Sequence, residues 1–249
     1  MIVRKNSKQI QKERFLDYKN FNTRQHLDVI LLKMLGTIFF YFCLVIALML
    51  VTFSSATIEC VVVGRSMIPT FNNDIRAGRD TVYVNTLSNE FSFGDIIVLE
   101  VGEADPIIKR VIGVSGDVID IVFVEDVGYK LEINGNLIDE DYLRYDYDIE
   151  DETLQNGMGI CYDRFKLEMQ ANYPELFIND KLVVPEGHIF ALGDNRHESK
   201  DSTSYGTFEE NAVIGKVELV RKAGVSEWSF YWDYIWDGKV FNTIATCFE

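Results

Sequence analysis

From Met34 to Phe53 the chain reads MLGTIFFYFCLVIALMLVTF, and no charged residue occurs between Met34 and Ile58. Twenty helical residues rise about 30 Å, enough to cross the hydrocarbon core of a bilayer. A core helix of a soluble domain rarely needs to be apolar on every face, as this stretch is. Residues 34–56 are therefore expected to form a transmembrane anchor. Ser54-Ser55-Ala56 supplies the small residues of a cleavable leader, but the apolar run exceeds the usual h-region of about 7–15 residues, and a long basic segment precedes it. The expectation is an uncleaved anchor. Residues 1–33 carry eight Lys and Arg against three acidic residues, a balance of +5, while the whole chain stands at −15. The positive flank should stay in the cytoplasm and place the chain from about residue 57 outside the cell membrane.

The remaining residues carry the balance of −20. A body this acidic repels phosphate backbones, so nucleic-acid binding is not expected. Its periodicity is that of short strands: TIECVVV, TVYVN, DIIVLE, IIKRVIGV, VIDIVFV, YKLEI, HIFALG and AVIGKVELV are β-branched and separated by Gly, Asp or Asn. Asn134-Gly135 marks a two-residue hairpin. No alternation of strands with long helices occurs, so the expected class is mostly β, with antiparallel sheets. The acidic, Tyr-rich stretch 139–181 breaks the pattern and reads as an inserted subdomain or loop, with a short helix possible at YDRFKLEMQANY. The expected division is a basic segment 1–33, an anchor 34–56, a β core from 57–138 and 182–222, the insertion 139–181, and an aromatic tail 223–249. In that tail Trp228, Trp232 and Trp236 share one helical face, suited either to a membrane interface or to a core.

Four cysteines occur, and Cys161 and Cys247 could pair in an oxidising compartment. No Cys-x-x-Cys or histidine cluster suggests a metal site.

Val61–Phe71 reads VVVGRSMIPTF, a strand end followed by a serine between Gly64 and Pro69. Ser66 either caps a turn or is held out as a nucleophile, and a nucleophilic serine needs a base. Three histidines exist: His26 on the basic side of the anchor, His188 at a strand start and His197 in a polar loop. Spacing alone excludes neither His188 nor His197, but a Ser-His-Asp reading rests on nothing more specific than His197 near acidic residues. Lys109 is the other candidate. It lies inside the run IIKRVIGV, where alternation places it on the face of Ile107 and Val111 and puts Arg110 on the other. An ordinary lysine is protonated at neutral pH, but burial lowers its pKa and frees the amine. A lysine with a covered stem and a solvated head fits the same pattern.

GRSMIPTF, FGDIIVLE, IIKRVIGVSGD and FALGDNRHESKDSTSYG follow one another in this order behind a single N-terminal anchor. The set resembles the type I signal peptidases of bacteria, in the Gram-positive-type form that uses a Ser-Lys dyad. The resemblance covers about half the chain, Glu59–Leu137 and Leu182–Arg221. It implies an antiparallel, barrel-like β catalytic core with a smaller β-rich insertion. It also implies that Ser66 is the nucleophile, Lys109 the general base, and Ser199 the residue whose hydroxyl orients the lysine amine. The backbone N–H of Ser66 would form the oxyanion hole, in a turn built by Gly64, Met67 and Pro69. Gly193, Asp194, Asn195, Arg196, Asp201 and Ser202 match the box that walls the site. That box ordinarily ends in Ser-Arg, with the arginine paired to the preceding aspartate. Here Thr203 stands at that position, so Asp201 either finds another partner, such as Lys200 or Arg196, or is left more loosely held.

The resemblance implies a membrane-anchored endopeptidase that removes signal peptides from secretory precursors after small residues. No metal or cofactor is required, and precursor and bilayer are the partners. Self-cleaving repressors share the dyad but carry DNA-binding modules, which nothing basic here supplies. A specialised or non-catalytic relative serving surface-protein or pilus assembly is the alternative.

Overall fold

The structure, a computed structural model, describes residues 7–73, 78–143, 157–226 and 229–230. It divides into two units, residues 1–55 and 56–249. The first is dominated by one helix, α1 (Ser7–Ala56). Its segment Asp28–Met49 is long and apolar enough to cross a membrane. The consecutive residues Ile38, Phe39, Phe40, Tyr41 and Phe42 are all exposed, so the apolar surface runs around the whole helix rather than along one core-facing stripe. The basic residues before the apolar run, from Ser7 on, belong to the same continuous helix.

The second unit is built from antiparallel strands in two sheets. β1 (Thr57–Val61), β2 (Thr81–Asn85), β3 (Ile96–Leu99) and β4 (Ile107–Val114) combine with β10 (His188–Leu192), β11 (Phe208–Glu209) and β12 (Val213–Arg221). They form a seven-stranded sheet in the order β1-β2-β12-β3-β4-β10-β11. β5 (Val118–Val124), β6 (Gly128–Ile133), β7 (Asn136–Leu137), β8 (Phe177–Ile178) and β9 (Lys181–Val183) form a five-stranded sheet in the order β7-β6-β5-β9-β8. The mostly β, antiparallel architecture is as the sequence periodicity predicts. The Asn-Gly hairpin is there too: Asn134 and Gly135 both have positive φ and join β6 to β7.

Alternation on β4 separates its neighbours. Ile107 and Val111 pack with Ile97, Leu99, Ile189 and Phe208. Ile112, from the other set of alternating positions, joins a different cluster with Phe190 and Leu192. This second cluster also takes in Met158, Cys161, Phe165 and Met169. Those residues belong to α2 (Met158–Asp163), a π-helical turn (Arg164–Met169) and α3 (Gln170–Asn172). The described part of 139–181 thus contains the short helix allowed by the sequence. It buries its apolar side against the smaller sheet.

Cys161 is a free thiol, fully buried, and burial pushes its pKa up to about 11. Cys247 lies outside the described residues, as do Trp228, Trp232 and Trp236.

Candidate active site

Ser66 sits in the loop that leaves β1. This loop is tied down before any question of chemistry arises. The Asn72 side chain donates to the carbonyls of Val62 (3.0 Å) and Gly64 (3.2 Å), and its own Oδ1 accepts from the Asp80 amide at 2.8 Å. Met67 and Phe71 are buried under the seven-stranded sheet with Val82, Val84 and Val98. Gly64 has φ +101° and open space where a side chain would stand. Its glycine is therefore required by backbone conformation and not by lack of room.

Lys109 extends from β4 toward this loop and is 2% exposed. Its Nζ lies 2.9 Å from Ser66 Oγ and donates to the Ile108 carbonyl at 2.9 Å. Burial lowers the lysine from its usual 10.5 to about 8, against the opposing charges of Asp201 and Asp194. The sequence left open whether the ammonium reaches water, and the structure places it inside. A groove of about 430 Å³ opens beside the pair, lined by Cys60, Val62, Val82, Val98 and Ile108 as well as by Ser66 and Lys109.

The wall is the segment 193–203. Asn195 grips the serine backbone, its amide donating to the Ser66 carbonyl (2.9 Å) and its Nδ2 to the Arg65 carbonyl (3.1 Å). At Gly193 a Cβ would come within 2.2 Å of Ser199 Oγ and 2.5 Å of the Ser66 carbonyl oxygen, so Ser199 and Ser66 meet across a space only glycine leaves open. Ser199 Oγ is buried and makes no hydrogen bond among the described residues. The bond to the lysine amine that the resemblance implied is thus not formed in this arrangement. Ser202 Oγ accepts from the Ala191 amide at 3.0 Å, fixing the start of α4 (Ser202–Tyr205) to β10.

Asp201 does not turn to Lys200 or Arg196. It caps α4: one carboxylate oxygen accepts from the Thr203 amide (3.2 Å) and hydroxyl (2.8 Å), the other from the Gly193 amide (3.0 Å). The residue in the arginine's place thus supplies the replacement itself, because a short β-hydroxyl two positions on reaches an N-cap carboxylate.

Asp194 is satisfied by Arg110, whose Nε and Nη2 meet its two oxygens at 2.8 and 2.6 Å, and by the Thr70 hydroxyl. Arg196 turns away from the groove. Its guanidinium forms a two-pronged pair with Glu140 (3.2 and 2.6 Å), and its Nε donates to the Gly193 carbonyl at 3.1 Å. Burial alone would push this arginine down, but Glu140 overrides it and holds the pKa above the usual value.

Sequence reasoning missed Thr70, Arg110, Glu140 and Arg164. Arg110 alone left a signal, as a second cation inside a β-branched run. His188 is paired with Thr207 (3.1 Å).

A serine hydroxyl 2.9 Å from a buried lysine of lowered pKa, beside an apolar groove, is an arrangement in which an amine can accept a hydroxyl proton. Comparison with known proteins gives the family. Residues 31–221 match the family described as signal peptidase, peptidase S26. The chain is 34% identical over 183 residues to signal peptidase I of Bacillus caldolyticus, covering 71% of this chain and 84% of that protein. It is 31% identical over 156 residues to signal peptidase IB of Staphylococcus aureus, covering 63% and 73% respectively. A solved signal peptidase I from Enterococcus faecalis is 27% identical, with a TM-score of 0.32, over 51% of this chain and 96% of that one. The chain belongs to the signal peptidase family, peptidase S26. Membership makes it a hydrolase, a serine endopeptidase of the kind that removes signal peptides.

Proposed function

We propose that this protein cleaves secretory precursors with Ser66 as nucleophile and Lys109 as general base. The observation that carries the reading is the 2.9 Å contact between Lys109 Nζ and Ser66 Oγ, made by a lysine whose burial brings it to about 8. In the neutral state the contact reverses, and the Ser66 hydroxyl donates to the amine lone pair. As Oγ attacks the scissile carbonyl carbon, the proton passes to Nζ and the carbonyl becomes an oxyanion held by the Ser66 backbone N–H. The ammonium then protonates the leaving nitrogen, the C–N bond breaks, and the signal peptide remains as an ester on Ser66. Water, deprotonated by the same lysine, releases it. Ser199 Oγ, buried next to Ser66 and without a hydrogen bond among the described residues, is the group to which the amine turns as its proton moves. Gly64, Met67 and Pro69 hold the turn, while Gly193, Asp194, Asn195, Arg196, Asp201 and Ser202 form the wall behind it.

Residues 34–56 anchor the enzyme, residues 1–33 stay in the cytoplasm, and the two-sheet unit works on the outer face. The core is drawn from 57–138 and 182–222, with 139–181 inserted and 223–249 as a tail. Confinement to the surface where a precursor emerges, its h-region still in lipid, replaces a three-dimensional search with a planar one.

The test is cleavage of a precursor in phospholipid vesicles. A precursor with Ala at −1 and −3 should be cut after the −1 residue, and a Phe at −1 should reduce kcat/KM by ~100-fold or more, because each excess methylene in a shallow pocket costs roughly 1–3 kcal/mol. Equal cleavage of both, or cutting at an unrelated position, would overturn the reading.

A further inference from the structure

The turn that carries Ser199 is held from behind by a residue of the helical excursion. Arg164, the first residue of the π-helical turn, sends one Nη to the carbonyl of Arg196 (2.5 Å) and the other to the carbonyl of Ser199. Those carbonyls belong to a single helical turn, in which the amides of Glu198 (3.1 Å) and Ser199 (3.0 Å) both return to the Asn195 carbonyl. Two carbonyls presented together suit a guanidinium fork, which donates one N–H to each. At its other end the same turn reaches the nucleophile, since Asn195 binds the carbonyls of Arg65 and Ser66. A continuous set of bonds therefore runs from Arg164 through residues 195–199 to the backbone of Ser66. Arg164 does not line the groove. Its Nε is buried without a hydrogen bond among the described residues, a desolvation that a solvated surface cation would not bear.

We propose that Arg164 is a positioning residue for the cleavage reaction, clamping the 195–199 turn so that Ser66 and Ser199 keep their places around the Lys109 amine. The proposal rests on the Ser66–Lys109 reading above. It gives the excursion a role in the chemistry: the helix 158–172 is anchored by Met158, Phe165 and Met169 in the core under the smaller sheet, and from there it carries a cation to the back of the site. A displacement of about 1 Å in a reacting group costs on the order of 10²-fold in rate. The loss should fall on kcat, because no group that contacts the peptide is removed.

The test compares the full chain in detergent with Arg164→Met, which keeps the apolar stem, and Arg164→Lys, which restores one charge but not the fork. Wild type and Ser66→Ala are run alongside. The expected result is a kcat lower by roughly 10–100-fold for Arg164→Met, with KM within about twofold and the melting temperature within a few degrees. Arg164→Lys should recover part of the loss. If Arg164→Met melts early, Arg164→Lys decides alone: reduced kcat at unchanged KM and melting temperature supports the clamp. Wild-type kcat in either folded variant overturns it, as does a loss confined to KM. If wild type itself fails to cleave the precursor, the functional reading fails first and the clamp falls with it.

Discussion

Lys109→Met is expected to remove at least ~10⁴-fold of the kcat/KM for precursor cleavage, and Ser66→Ala the same, while both proteins stay folded. The size follows from the coupling: without the base the hydroxyl is a poor nucleophile, and without the hydroxyl the base has nothing to activate. About 10⁴-fold corresponds to roughly 5.5 kcal/mol of transition-state stabilisation. Lys109→Arg should be equally inactive, because a guanidinium keeps its proton at any working pH and cannot accept another. That variant separates a base from a mere positive charge. Steady-state cleavage of one precursor by the four proteins checks it, and substantial activity in Lys109→Arg would contradict the role given to the amine.

Glu140→Ala is expected to cost roughly 3–5 kcal/mol of stability, because it leaves the Arg196 guanidinium buried and uncompensated. The side chains of Arg196 and Glu140 are 0% and 4% exposed, so water cannot replace the missing partner. The Tyr142 hydroxyl, which donates to Glu140 at 2.6 Å, loses its acceptor as well. For a unit of this size the thermal midpoint should fall by roughly 10 °C. Replacing both partners, Glu140→Leu with Arg196→Met, should recover much of that loss, since an apolar pair of similar volume avoids the unpaired charge. The exposed pair Arg65–Glu198, 3.6 Å apart with side chains 56% and 51% exposed, is the contrast: Glu198→Ala should move stability by less than ~1 kcal/mol. Thermal unfolding of the variants in detergent checks both.

These two cases also mark what can be read from the sequence and what cannot. The buried lysine was partly legible, because a strand alternates and IIKRVIGV puts one cation on each face of a β-branched run. The Asn134-Gly135 hairpin was fully legible, since only a few residues tolerate two consecutive positive φ angles. The order of the strands in the sheets was not. β12 inserts between β2 and β3 although well over a hundred residues separate it from them in the chain, and periodicity carries no information about such pairing. Partner choice among the buried charges was equally hidden. Arg196 pairs with Glu140, 56 residues away, inside a stretch that reads as undifferentiated acid. For Asp201 the sequence leaves open a new partner, such as Lys200 or Arg196, or a looser hold. Asp201 found instead the hydroxyl and amide of Thr203, a local solution that the residue itself makes available. Arg164 lies in the excursion with no motif around it, and only the fold brings it to the carbonyls of Arg196 and Ser199.

The charge arrangement around the lysine sets its pH behaviour. Asp201, held by uncharged donors, and Asp194, paired with Arg110, both oppose the effect of burial on Lys109. Burial still wins, and the amine comes to about 8. In the proposed mechanism the neutral amine is the active form, so activity is expected to be lost as pH falls below this value and to be complete above it.

The most direct test of the account is therefore the pH dependence of kcat/KM for precursor cleavage, which reports the free enzyme. The predicted profile rises about tenfold per pH unit below a midpoint near 8 and levels off above it. A profile flat from acid to alkaline pH, or one whose acid limb falls at the histidine range near ~6.5, would contradict a lysine base at Ser66.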